Sequence, residues 1–553
     1  MRPSKKQVLK EKAQSQEKFN RYHVLALFAI GFLTFLIYKN SLSNDVIHFD
    51  DTEYFLAYPE ITHLSWHSIR LFFSSYYLIM YQPLPVLTFA LNYQFAGVDP
   101  IPLHLVNLCF HLVNILLVFH FASLLLKDKY LALIPALIFG IHPMSVEAVS
   151  WISARSSGMY TLFYLLSLIF YLNYIFRGLK IRYLILALLF FLLSLLSKSQ
   201  AVTLPLVLIL IDLFYQRRIT DRRVILEKIP FILLSILFAW IAISSPATKE
   251  IMSKGMIANY SLTDDFFMLC YSLEFYLVKF LVPVSLCAAY VYPAKSGSFL
   301  PLVYYLAPLV LVFTGFLCYY LRKNKYVLFG AALFLLTIFI NLQIIPSRLV
   351  IVADRYTYFP YLGLLILIVS MVNHIKKEHP VSFRKYNLMV WGVLLFYILF
   401  FSVSTVNRNY TWNNDYVFMS DIINKNPEVP YLYRAYGTRA NWLKNQNRLD
   451  EALQDYTKAV ELKPDNPLPY VNRAILNIER KSFRDVIKDA DQAVKLNYRN
   501  PYIFQVRALA KYYGSDFQGA LADCDKSLRL DSTRNEVYDL RDIVLDSLKV
   551  HGK

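Results

Sequence analysis

The sequence is poor in charge and in cysteine. Only 17% of its 553 residues are charged, which excludes an intrinsically disordered chain. Its five cysteines are scattered without paired spacing, so neither a disulfide-stabilised scaffold nor a zinc knuckle is indicated. What the chain does contain is apolar, with 56% hydrophobic residues and a mean hydropathy of +0.39. This composition is typical of a protein that lies mostly within a membrane.

The net charge of +18 is unevenly distributed along the chain. Residues 1–406 contain 34 Lys and Arg against 19 Asp and Glu, whereas residues 407–553 contain 23 against 20. Most basic residues of the first part lie in six short clusters between apolar runs, as the positive-inside rule predicts. These clusters, expected to face the cytoplasm, are residues 5–21, 127–129, 177–182, 217–228, 322–325 and 376–385. The excess charge therefore orients a membrane protein and does not indicate nucleic acid as a partner.

Eleven apolar segments between these clusters predict about eleven transmembrane helices. They cover residues 22–38, 103–126, 130–141, 158–176, 183–196, 201–215, 229–245, 302–321, 326–342, 360–373 and 387–406. The first segment follows the basic residues 1–21, expected to be a cytoplasmic N-terminus, and is interpreted as an uncleaved anchor because no small-residue cleavage site follows it. A twelfth segment, residues 264–283, contains four charged residues and is expected to be interfacial or re-entrant.

An odd number of spans places the C-terminal region on the extracytoplasmic face, opposite the N-terminus. Residues 22–406 then form a membrane domain with long outer loops at residues 39–102, 142–157, 246–301 and 343–359. Within the first loop, residues 66–73 and 83–95 are aromatic and amphipathic but too short or too polar to span. We expect these two segments to be helices that lie in the plane of the outer membrane surface.

A repeat with a period of 34 residues follows a linker assigned to residues 407–432. The clearest recurring positions are Ala440, Ala474 and Ala508, and Arg439, Arg473 and Arg507. Thirty-four is the period of tetratricopeptide repeats, in which small residues let two helices approach closely. Residues 433–553 are therefore expected to form an α-solenoid of about three repeats with a capping helix. Its concave surface would bind a peptide, and a purely structural lid is the alternative.

Adjacent carboxylates, Asp50 and Asp51, stand in the first outer loop, in the stretch VIHFDDTEY. Such a pair at a membrane surface can act as a general base or bind a hard cation such as magnesium or manganese. A solvated turn in which Asp51 caps a local helix is the alternative interpretation. The sequence leaves both interpretations open.

The second outer loop, GIHPMSVEAVSWISARSSG, presents His142, Glu147 and Arg155. If residues 145–155 are helical, Glu147 and Arg155 share one face, either as part of a site or as an internal ion pair. Lys198 is the only charge between two apolar runs, and such a group normally faces a polar cavity or a charged ligand. Snorkelling to the membrane surface is the competing explanation for Lys198.

The last outer loop, IIPSRLVIVADRYTYFPYLG, supplies Arg348, Asp354, Arg355 and Tyr356. Arginine suits a phosphate because its planar fork donates two parallel hydrogen bonds and stays charged when partly buried. A structural pairing of Asp354 with Arg355 is the alternative. Carboxylates from two loops and cations from others lie on one membrane face, which suggests a phosphorylated, lipid-borne substrate and a hydroxyl acceptor.

Four motifs followed by tetratricopeptide repeats resemble those of a known family. The motifs FDD, HPxxxEAVxWIxxR, an SK pair before a span and DRYxYFPYLG are similar to those of the transmembrane and tetratricopeptide-repeat-containing O-mannosyltransferases and their bacterial relatives. The resemblance covers nearly the whole chain. It implies a GT-C-like membrane domain that transfers mannose or another hexose from a polyprenyl or dolichyl phosphate carrier. The acceptor would be a hydroxyl group, Ser or Thr of a protein, on the extracytoplasmic face, with inversion at the sugar.

The resemblance also implies roles for individual residues. Asp50 would be the catalytic base, with Asp51 supporting it or exchanging that role, and Glu147 would orient the acceptor or a metal. The groups expected to bind substrate or lipid phosphate are His142, Arg155, Lys198, Arg348, Asp354, Arg355 and Tyr356. For His142, fixing its own loop is the other role that the resemblance implies. Asp50 and Glu147 would be the ligands of a magnesium or manganese ion. Asp354 stands where many relatives have Glu, and the repeat array is shorter than in eukaryotic members.

The expected partners are the lipid-linked sugar donor, membrane lipids, and an acceptor protein or peptide bound by the repeats. The short repeat array and the lack of cysteine pairs favour a bacterial inner membrane with periplasmic repeats over an endoplasmic reticulum membrane with lumenal repeats. The alternative function is a scaffold, in which an inactive membrane anchor carries repeats that organise envelope proteins or polysaccharide assembly. A transporter is disfavoured because the charged candidates lie at one membrane face.

Overall fold

The computed structural model describes residues 20–78, 80–246, 260–293, 295–342, 350–426 and 432–551 of the chain. The chain divides into two compact units, Met1–Asn414 and Asp415–Lys553. The boundary falls within residues 407–432, which the sequence analysis assigns to a linker. Part of that predicted linker is helical, because one helix ends at Tyr410 and the next begins at Asp415.

The first unit is built almost entirely of helices. In chain order they are α1 (Arg21–Tyr38), α2 (Asp51–Leu56), α3 (Pro59–Thr62), α4 (Trp66–Ser74), α5 (Pro83–Ala96), α6 (Pro100–Leu126), α7 (Lys129–Ile141), α8 (Val146–Ser150), α9 (Arg155–Phe176), α10 (Ile181–Ser197), α11 (Leu204–Phe214), α12 (Arg222–Ile243), α13 (Leu262–Leu281), α14 (Leu302–Tyr320), α15 (Lys325–Ile338), α16 (Tyr361–Glu378) and α17 (Pro380–Tyr410). Several of these helices are capped by an aspartate. The side chains of Asp99, Asp128 and Asp221 accept backbone N–H groups at the starts of α6, α7 and α12.

Each of the eleven segments predicted to span the membrane overlaps one of these helices. Among the described residues, six helices are long and apolar enough to cross a membrane alone: α1, α6, α9, α12, α14 and α17. Helix α7 and the residues Pro143–Ser150 form a bent pair that would be a seventh, and α10, α11 and α15 are apolar but shorter. The helical membrane domain is therefore confirmed, while the number of eleven spans stays a prediction. The twelfth segment forms α13, which is not among these candidates.

The bend after α7 falls at His142, the residue before Pro143. A residue before proline is driven out of the helical region, and His142 has an extended backbone with ψ of 128°. The helix directions before and after the bend differ by 56°. After the bend, all five residues of α8 are buried, and Glu147 is among them.

Helices α15 and α16 touch backbone to backbone at Gly330 and Gly363. A Cβ atom added at Gly330 would lie 2.5 Å from the carbonyl oxygen of Gly363, and one at Gly363 would lie 2.5 Å from the amide nitrogen of Phe334. Only glycine permits this approach, which is the small-residue contact typical of membrane helices. Gly363 is the last residue of the DRYxYFPYLG motif. Its lack of a side chain lets α16, which follows the charged residues of the motif, pack directly against α15.

The first outer loop contains α4 and α5, which match the two predicted segments at residues 66–73 and 83–95. Both helices pack on a small core that includes Tyr54, Phe72 and Phe89. On the outside of this layer Trp66 and Phe95 are largely exposed. Exposed aromatic rings of this kind suit the interface between lipid and water.

Two short strands join separate outer loops. Strand β1 (Tyr290–Val291) pairs antiparallel with β2 (Val350–Val352), and Tyr290 lies opposite Val352. A single-turn 3₁₀ helix, Asp354–Thr357, follows β2 directly. The pairing therefore fixes the start of the DRY segment against the loop before α14.

The second unit consists of helical pairs. Its helices are α18 (Asp415–Lys425), α19 (Leu432–Asn445), α20 (Leu449–Leu462), α21 (Pro467–Glu479), α22 (Phe483–Lys495), α23 (Pro501–Tyr513), α24 (Phe517–Leu530) and α25 (Asn535–His551). The repeating alanines Ala440, Ala474 and Ala508 are completely buried where the helices of a pair meet. The predicted α-solenoid of three pairs followed by a last helix is confirmed.

A ladder of arginines ties the repeats together. Arg439, Arg473 and Arg507 each donate two hydrogen bonds to an aspartate 16 residues later, which is Asp455, Asp489 or Asp523. A third nitrogen of each guanidinium donates backwards along the chain, to Ser420, Thr457 or Asp491. The 34-residue spacing of arginine therefore reports a structural pairing, and the fork geometry explains why the residue is arginine.

Candidate functional site

Two outer loops meet through an ion pair between Glu147 and Arg355. Glu147 lies on α8 and is 1% exposed. Its carboxylate accepts the backbone N–H of Arg355 at 2.8 Å and a hydrogen bond from the guanidinium Nη1 of the same residue. Both carboxylate oxygens are thus engaged by a residue 208 positions later in the chain. Charge-assisted hydrogen bonds of this kind fix the position and the orientation of Arg355.

Arg355 is the cation of the site. Its side chain is 14% exposed, and its guanidinium lies 5.1 Å from the ring centroids of Trp151 and Tyr356. Burial by itself lowers the pKa of Arg355, but the charges of Glu147, Tyr356 and Asp50 oppose this effect, and the net shift is upward. Arg355 is therefore a permanently charged, oriented group that suits an anionic oxygen.

The two carboxylates of the FDD motif have different environments. Asp51 is 1% exposed and accepts the backbone N–H of Ser153 at 2.8 Å, the hydroxyl of Ser153, and the N–H of Ile47 at 3.4 Å. Asp50 precedes α2 and is partly exposed. Its charge acts on both Asp51 and Arg355. Asp51 therefore joins the first outer loop to the second, while Asp50 is a partly exposed carboxylate whose charge acts on Arg355.

Burial raises the pKa of Asp51 to about 7, although the hydrogen bonds from Ser153 and Ile47 lower it. A pKa near neutrality is favourable for a general base, but a base must also reach the proton that it removes. Asp51 lies beneath the surface with its oxygens occupied by Ser153 and Ile47. Of the two carboxylates, Asp50 is therefore the one that solvent reaches, and Asp51 is held in place by Ser153 and Ile47.

Arg155 is fully engaged inside the protein. It is 0% exposed, and its guanidinium donates to Asn107, Thr88, Asn92 and the carbonyl oxygen of Leu103 at 2.6–3.2 Å. The ring of Phe89 lies 4.3 Å from its centre. This geometry favours a structural role, in which Arg155 pins α5 and α6 to the start of α9. It does not favour the phosphate-binding role expected from the sequence, nor an ion pair with Glu147.

His142 holds the bend of the second outer loop. Its Nδ1 accepts the N–H of Met144 at 3.2 Å, so its Nε2–H donates to the carbonyl oxygen of Phe280 at 3.1 Å. The ring packs against Phe280, Tyr361 and Phe401. Of the two roles expected for His142, the geometry favours fixing the loop over contacting substrate.

Lys198 lies at the outer end of α10 and is 8% exposed. Its ammonium group donates to the Ser157 hydroxyl at 2.6 Å and lies 5.9 Å from the centroid of the Tyr160 ring. Both partners belong to the first two turns of α9. The side chain thus points into the protein, which argues against snorkelling to the membrane surface.

Asp354 pairs inward and not with its neighbour Arg355. It is 0% exposed, accepts the hydroxyl of Tyr290 at 2.7 Å, and lies 3.3 Å from Nη2 of Arg408. Burial raises the pKa of Asp354, and Arg408 opposes that effect. The expected substrate-binding role is not favoured by this geometry, and neither is the alternative pairing with Arg355. Tyr356 is buried beside Arg355, and Arg348 lies outside the described residues.

The carboxylates do not fit a resident divalent cation. Within the described part of the chain, no group of three or more His, Cys, Asp or Glu could hold a metal ion. The oxygens of Glu147 are held by Arg355, so a guanidinium already supplies positive charge where a cation would sit. The expected magnesium or manganese ion at Asp50 and Glu147 therefore has no suitable ligand set in this arrangement.

We call Asp50, Glu147 and Arg355 the outer charge cluster. The sequence motifs predicted all three, but two residues that hold the neighbouring aspartates, Asp51 and Asp354, were missed. Ser153 occupies an unspecified position of the HPxxxEAVxWIxxR motif, and only the structure shows its contact with Asp51. Arg408 lies near the outer end of the last apolar helix, against the positive-inside pattern, and this anomaly is the signal that could have identified it as a partner of Asp354.

A second cluster of buried charge was not predicted. Asp212, Arg217, Glu227 and Lys228, here called the inner charge cluster, lie at the end of α11, in the turn after it and on the first turns of α12. Arg217 is 2.8 Å from Asp212 and 2.7 Å from Glu227, and Lys228 is 2.5 Å from Asp212. Sequence analysis treated Arg217 and Lys228 only as signals of orientation. Their acidic partners show that two charges of each sign neutralise one another.

Comparison with known proteins finds relatives that are similar to most of the chain. A profile described as TPR repeat matches residues 441–478. The human protein O-mannosyl-transferase TMTC1 is 28% identical, with 69% of this chain and 48% of that protein covered. Human TMTC3, of the same description, is 24% identical, with 72% of this chain and 47% of that protein covered. The chain spans about half the length of these curated relatives.

Among solved structures, the archaeal oligosaccharyltransferase AglB from Archaeoglobus fulgidus, in complex with an inhibitory peptide and a dolichol-phosphate, covers 78% of this chain and 59% of its own. The sequence identity is 10% and the TM-score is 0.37. The sequence relatives are the stronger finding, because they are 24–28% identical over about 70% of this chain, whereas the structural match has a low TM-score. The resemblance inferred from the four motifs and the repeats is confirmed: this chain is similar to the transmembrane and tetratricopeptide-repeat-containing O-mannosyltransferases.

Proposed function

We propose that this protein is a membrane glycosyltransferase that transfers a hexose, mannose in the first instance, from a polyprenyl or dolichyl phosphate to a hydroxyl group of an acceptor protein. The observation that carries the proposal is the outer charge cluster, in which a partly exposed carboxylate, Asp50, lies within electrostatic reach of an oriented and partly exposed arginine, Arg355. The names of the curated relatives support the same reaction class.

The reaction is a single displacement at the anomeric carbon of the sugar. The acceptor oxygen forms its bond to that carbon while the bond from the carbon to the phosphate oxygen breaks, and the configuration inverts. Asp50 takes the proton of the acceptor hydroxyl as its oxygen attacks. The electron pair of the broken bond leaves with the lipid phosphate, whose growing negative charge is stabilised by Arg355.

The remaining residues of the site position these two groups. Glu147 holds Arg355 through its backbone N–H and its guanidinium, so the arginine does not need to reorganise when the phosphate charge develops. Asp51 holds the first outer loop against Ser153 and so fixes the start of α2 beside Asp50. Lys198 supplies a second cation on the same outer face. No step passes through a metal ion.

The repeats bind the acceptor in this proposal. Their small number suits a peptide or a short protein segment better than a large folded domain. Reaction and repeats lie on the extracytoplasmic face, because the basic loops orient the membrane domain. A bacterial inner membrane with periplasmic repeats is the proposed location.

The test is intact-mass glycoproteomics of extracytoplasmic proteins from cells that carry the wild-type chain, Asp50→Asn or Asp45→Asn. Asp45 is an exposed carboxylate in the same loop and serves as the matched control. With equal amounts of each chain in the membrane, we expect hexose on Ser or Thr peptides to disappear only in Asp50→Asn. Identical glycan profiles in all three strains would contradict the proposal and favour the repeat scaffold with an inactive anchor.

A further inference from the structure

Two basic loops that are far apart in sequence meet at the inner end of the membrane domain. Leu179 and Ile181, at the start of α10, line a groove of about 760 Å³ together with Arg222, Arg223 and Leu226 of α12. Phe231, which lines the groove, stacks on Phe191 with ring centroids 5.6 Å apart, and this contact joins the two helices. The groove is therefore a crevice between α10 and α12 that is apolar along its length and opens among charged residues.

The mouth of the groove is positively charged. Lys180 and Arg182 flank Ile181 in sequence and are exposed, as are Arg222 and Arg223. The acidic residue at the mouth, Asp221, accepts the backbone N–H of Arg223 and caps α12. Arg222 and Arg223 line the groove, and Lys180 and Arg182 are sequence neighbours of the lining residue Ile181, so basic residues outnumber acidic ones at this end of the groove.

The inner charge cluster does not cancel this charge. Glu227 lines the groove, but it accepts a hydrogen bond from Arg217 at 2.7 Å and another from Tyr174 at 2.5 Å. Asp212 is likewise held by Arg217, Lys228 and Tyr171. Arg217 and Lys228 neutralise the buried acids, and Arg223 also reaches Glu227 at 3.4 Å. Arg222 is therefore the arginine of the groove that can meet an external anion, together with the exposed Lys180 and Arg182.

The walls of the groove are apolar surfaces that face outward from the protein. Ile181, Ile185 and Leu226 are 63%, 58% and 53% exposed, on helices that belong to the membrane domain. A soluble phosphate compound has no apolar chain and would leave these apolar walls uncovered. A ligand that carries an anionic head and apolar chains satisfies both parts of the groove at once.

We propose that this groove binds an anionic glycerophospholipid of the inner leaflet, with its phosphate among Lys180, Arg182 and Arg222 and its acyl chains between α10 and α12. Basic pockets between membrane helices on the cytoplasmic side are suited to such head groups. Lys198, at the outer end of α10, is a full helix length away, about 25 Å for 17 residues. The lipid site is therefore separate from the outer charge cluster and does not depend on the proposed transfer reaction.

The test measures binding of phosphatidylglycerol and phosphatidylcholine to the purified full-length chain by native mass spectrometry. Wild type is compared with Arg222→Gln, with Leu226→Trp, which fills the half-exposed wall, and with Arg218→Gln. Arg218 is an exposed arginine of the same loop that does not line the groove, so it is the matched control. Thermal unfolding of each variant verifies that the chain is folded.

We expect phosphatidylglycerol to bind more tightly than phosphatidylcholine. Arg222→Gln should weaken phosphatidylglycerol about fivefold, Leu226→Trp should weaken both lipids, and Arg218→Gln should change neither. Equal affinity for the two lipids, or equal losses in Arg222→Gln and Arg218→Gln, would overturn the proposal. Displacement of the lipid by millimolar inorganic phosphate would also overturn it, because the head group alone would then account for binding. Arg222→Gln decides the question if Leu226→Trp fails to fold.

Discussion

The outer and inner charge clusters lie at opposite ends of one helix and are built differently. Helix α9 begins at Arg155, whose charge acts on Asp51, and its last turns carry Tyr171 and Tyr174, which donate to the inner cluster. Its 22 residues separate the two ends by about 33 Å. The inner cluster pairs two acids with two bases, whereas the outer cluster sets two carboxylates against one guanidinium and keeps both Asp50 and Arg355 partly exposed.

The difference shows that buried charge alone does not identify a functional site. The inner cluster is neutral, and each of its groups is held by another, so it has no need of a ligand. The outer cluster keeps a partly exposed carboxylate within electrostatic reach of a partly exposed cation. A substrate with a hydroxyl proton to lose and a phosphate to hold needs both. Exposure and unequal pairing, more than burial, therefore separate a reactive cluster from a structural one.

The largest expected effect is on catalysis in the outer cluster. Asp50→Asn should lower transfer of hexose from a polyprenyl phosphate sugar to a peptide by about 10²- to 10⁴-fold, the usual contribution of a general base. Because Asp50 is partly exposed, the free energy of unfolding should change by less than about 0.5 kcal/mol. Transfer and thermal unfolding are measured on the same purified protein. A loss of stability that matches the loss of transfer would make Asp50 a structural residue.

The second prediction concerns stability in the inner cluster. Lys228→Met leaves Asp212 buried without one of its bases and should lower the free energy of unfolding by about 3–5 kcal/mol. Transfer per folded molecule should be unchanged. Lys323→Met, in another predicted cytoplasmic loop, is the control and should cost less than about 0.5 kcal/mol. If Lys228→Met kept its stability and lost transfer, the inner cluster would be part of the active machinery and the comparison would fail.

The third prediction concerns Asp51, which is buried like the inner charge cluster but is the neighbour of Asp50 in the outer one. Its pKa is about 7 in the folded chain against an ordinary value of 3.8, so between about pH 4 and pH 7 the folded state holds more protons than the unfolded state. The contribution of Asp51 to stability is therefore complete below pH 4 and is lost as the pH rises through 7, by at most about 1.4 kcal/mol per pH unit. Thermal unfolding from pH 4 to 8 should show a smaller fall in stability for Asp51→Asn than for wild type. Equal pH profiles would mean that Asp51 is ionised throughout.

Much of the fold was predictable because its signals are local. Long apolar runs predict helices, and each of the eleven predicted segments overlaps a helix. A period of 34 residues predicts the repeats, since each repeat buries its alanines. The extended backbone of His142 agrees with the proline that follows it. The number of spans is less certain from sequence, because α10, α11 and α15 are shorter than a bilayer requires.

The site was predictable only in part, since its contacts are between distant loops. The motifs predicted Asp50, Glu147 and Arg355 as site residues. The structure pairs Glu147 with Arg355, and the charge of Asp50 acts on Arg355. The same reasoning assigned Arg155 to the lipid phosphate, but its partners Asn92 and Asn107 lie on helices that carry no motif. Nothing in the sequence indicates that these amides point at the guanidinium. The inner cluster was missed for the same reason: acids and bases near one another in sequence do not reveal whether they are buried together.

The arginine ladder of the repeats is a third arrangement, self-paired like the inner cluster but nearer the surface, and it should show the smallest effect. Arg473 donates to both oxygens of Asp489 at 2.8 Å and to Thr457 at 3.2 Å, with 18% of its side chain exposed. Arg473→Lys keeps the charge and loses the fork, so it should cost about 1 kcal/mol, below the cost of Lys228→Met.

Hydrogen exchange of the full-length chain should then rise in α21 and α22 and stay unchanged in the membrane unit. Arg484→Lys, at an exposed position on α22, is the matched control and should leave exchange unaltered. If Arg473→Lys destabilised the repeats as strongly as Lys228→Met destabilises the membrane unit, pairing geometry would set the cost of breaking a closed cluster. If the loss of stability is the smaller one that we expect, the degree of burial determines the cost. At this partly exposed position water can replace some of the hydrogen bonds that the arginine donated.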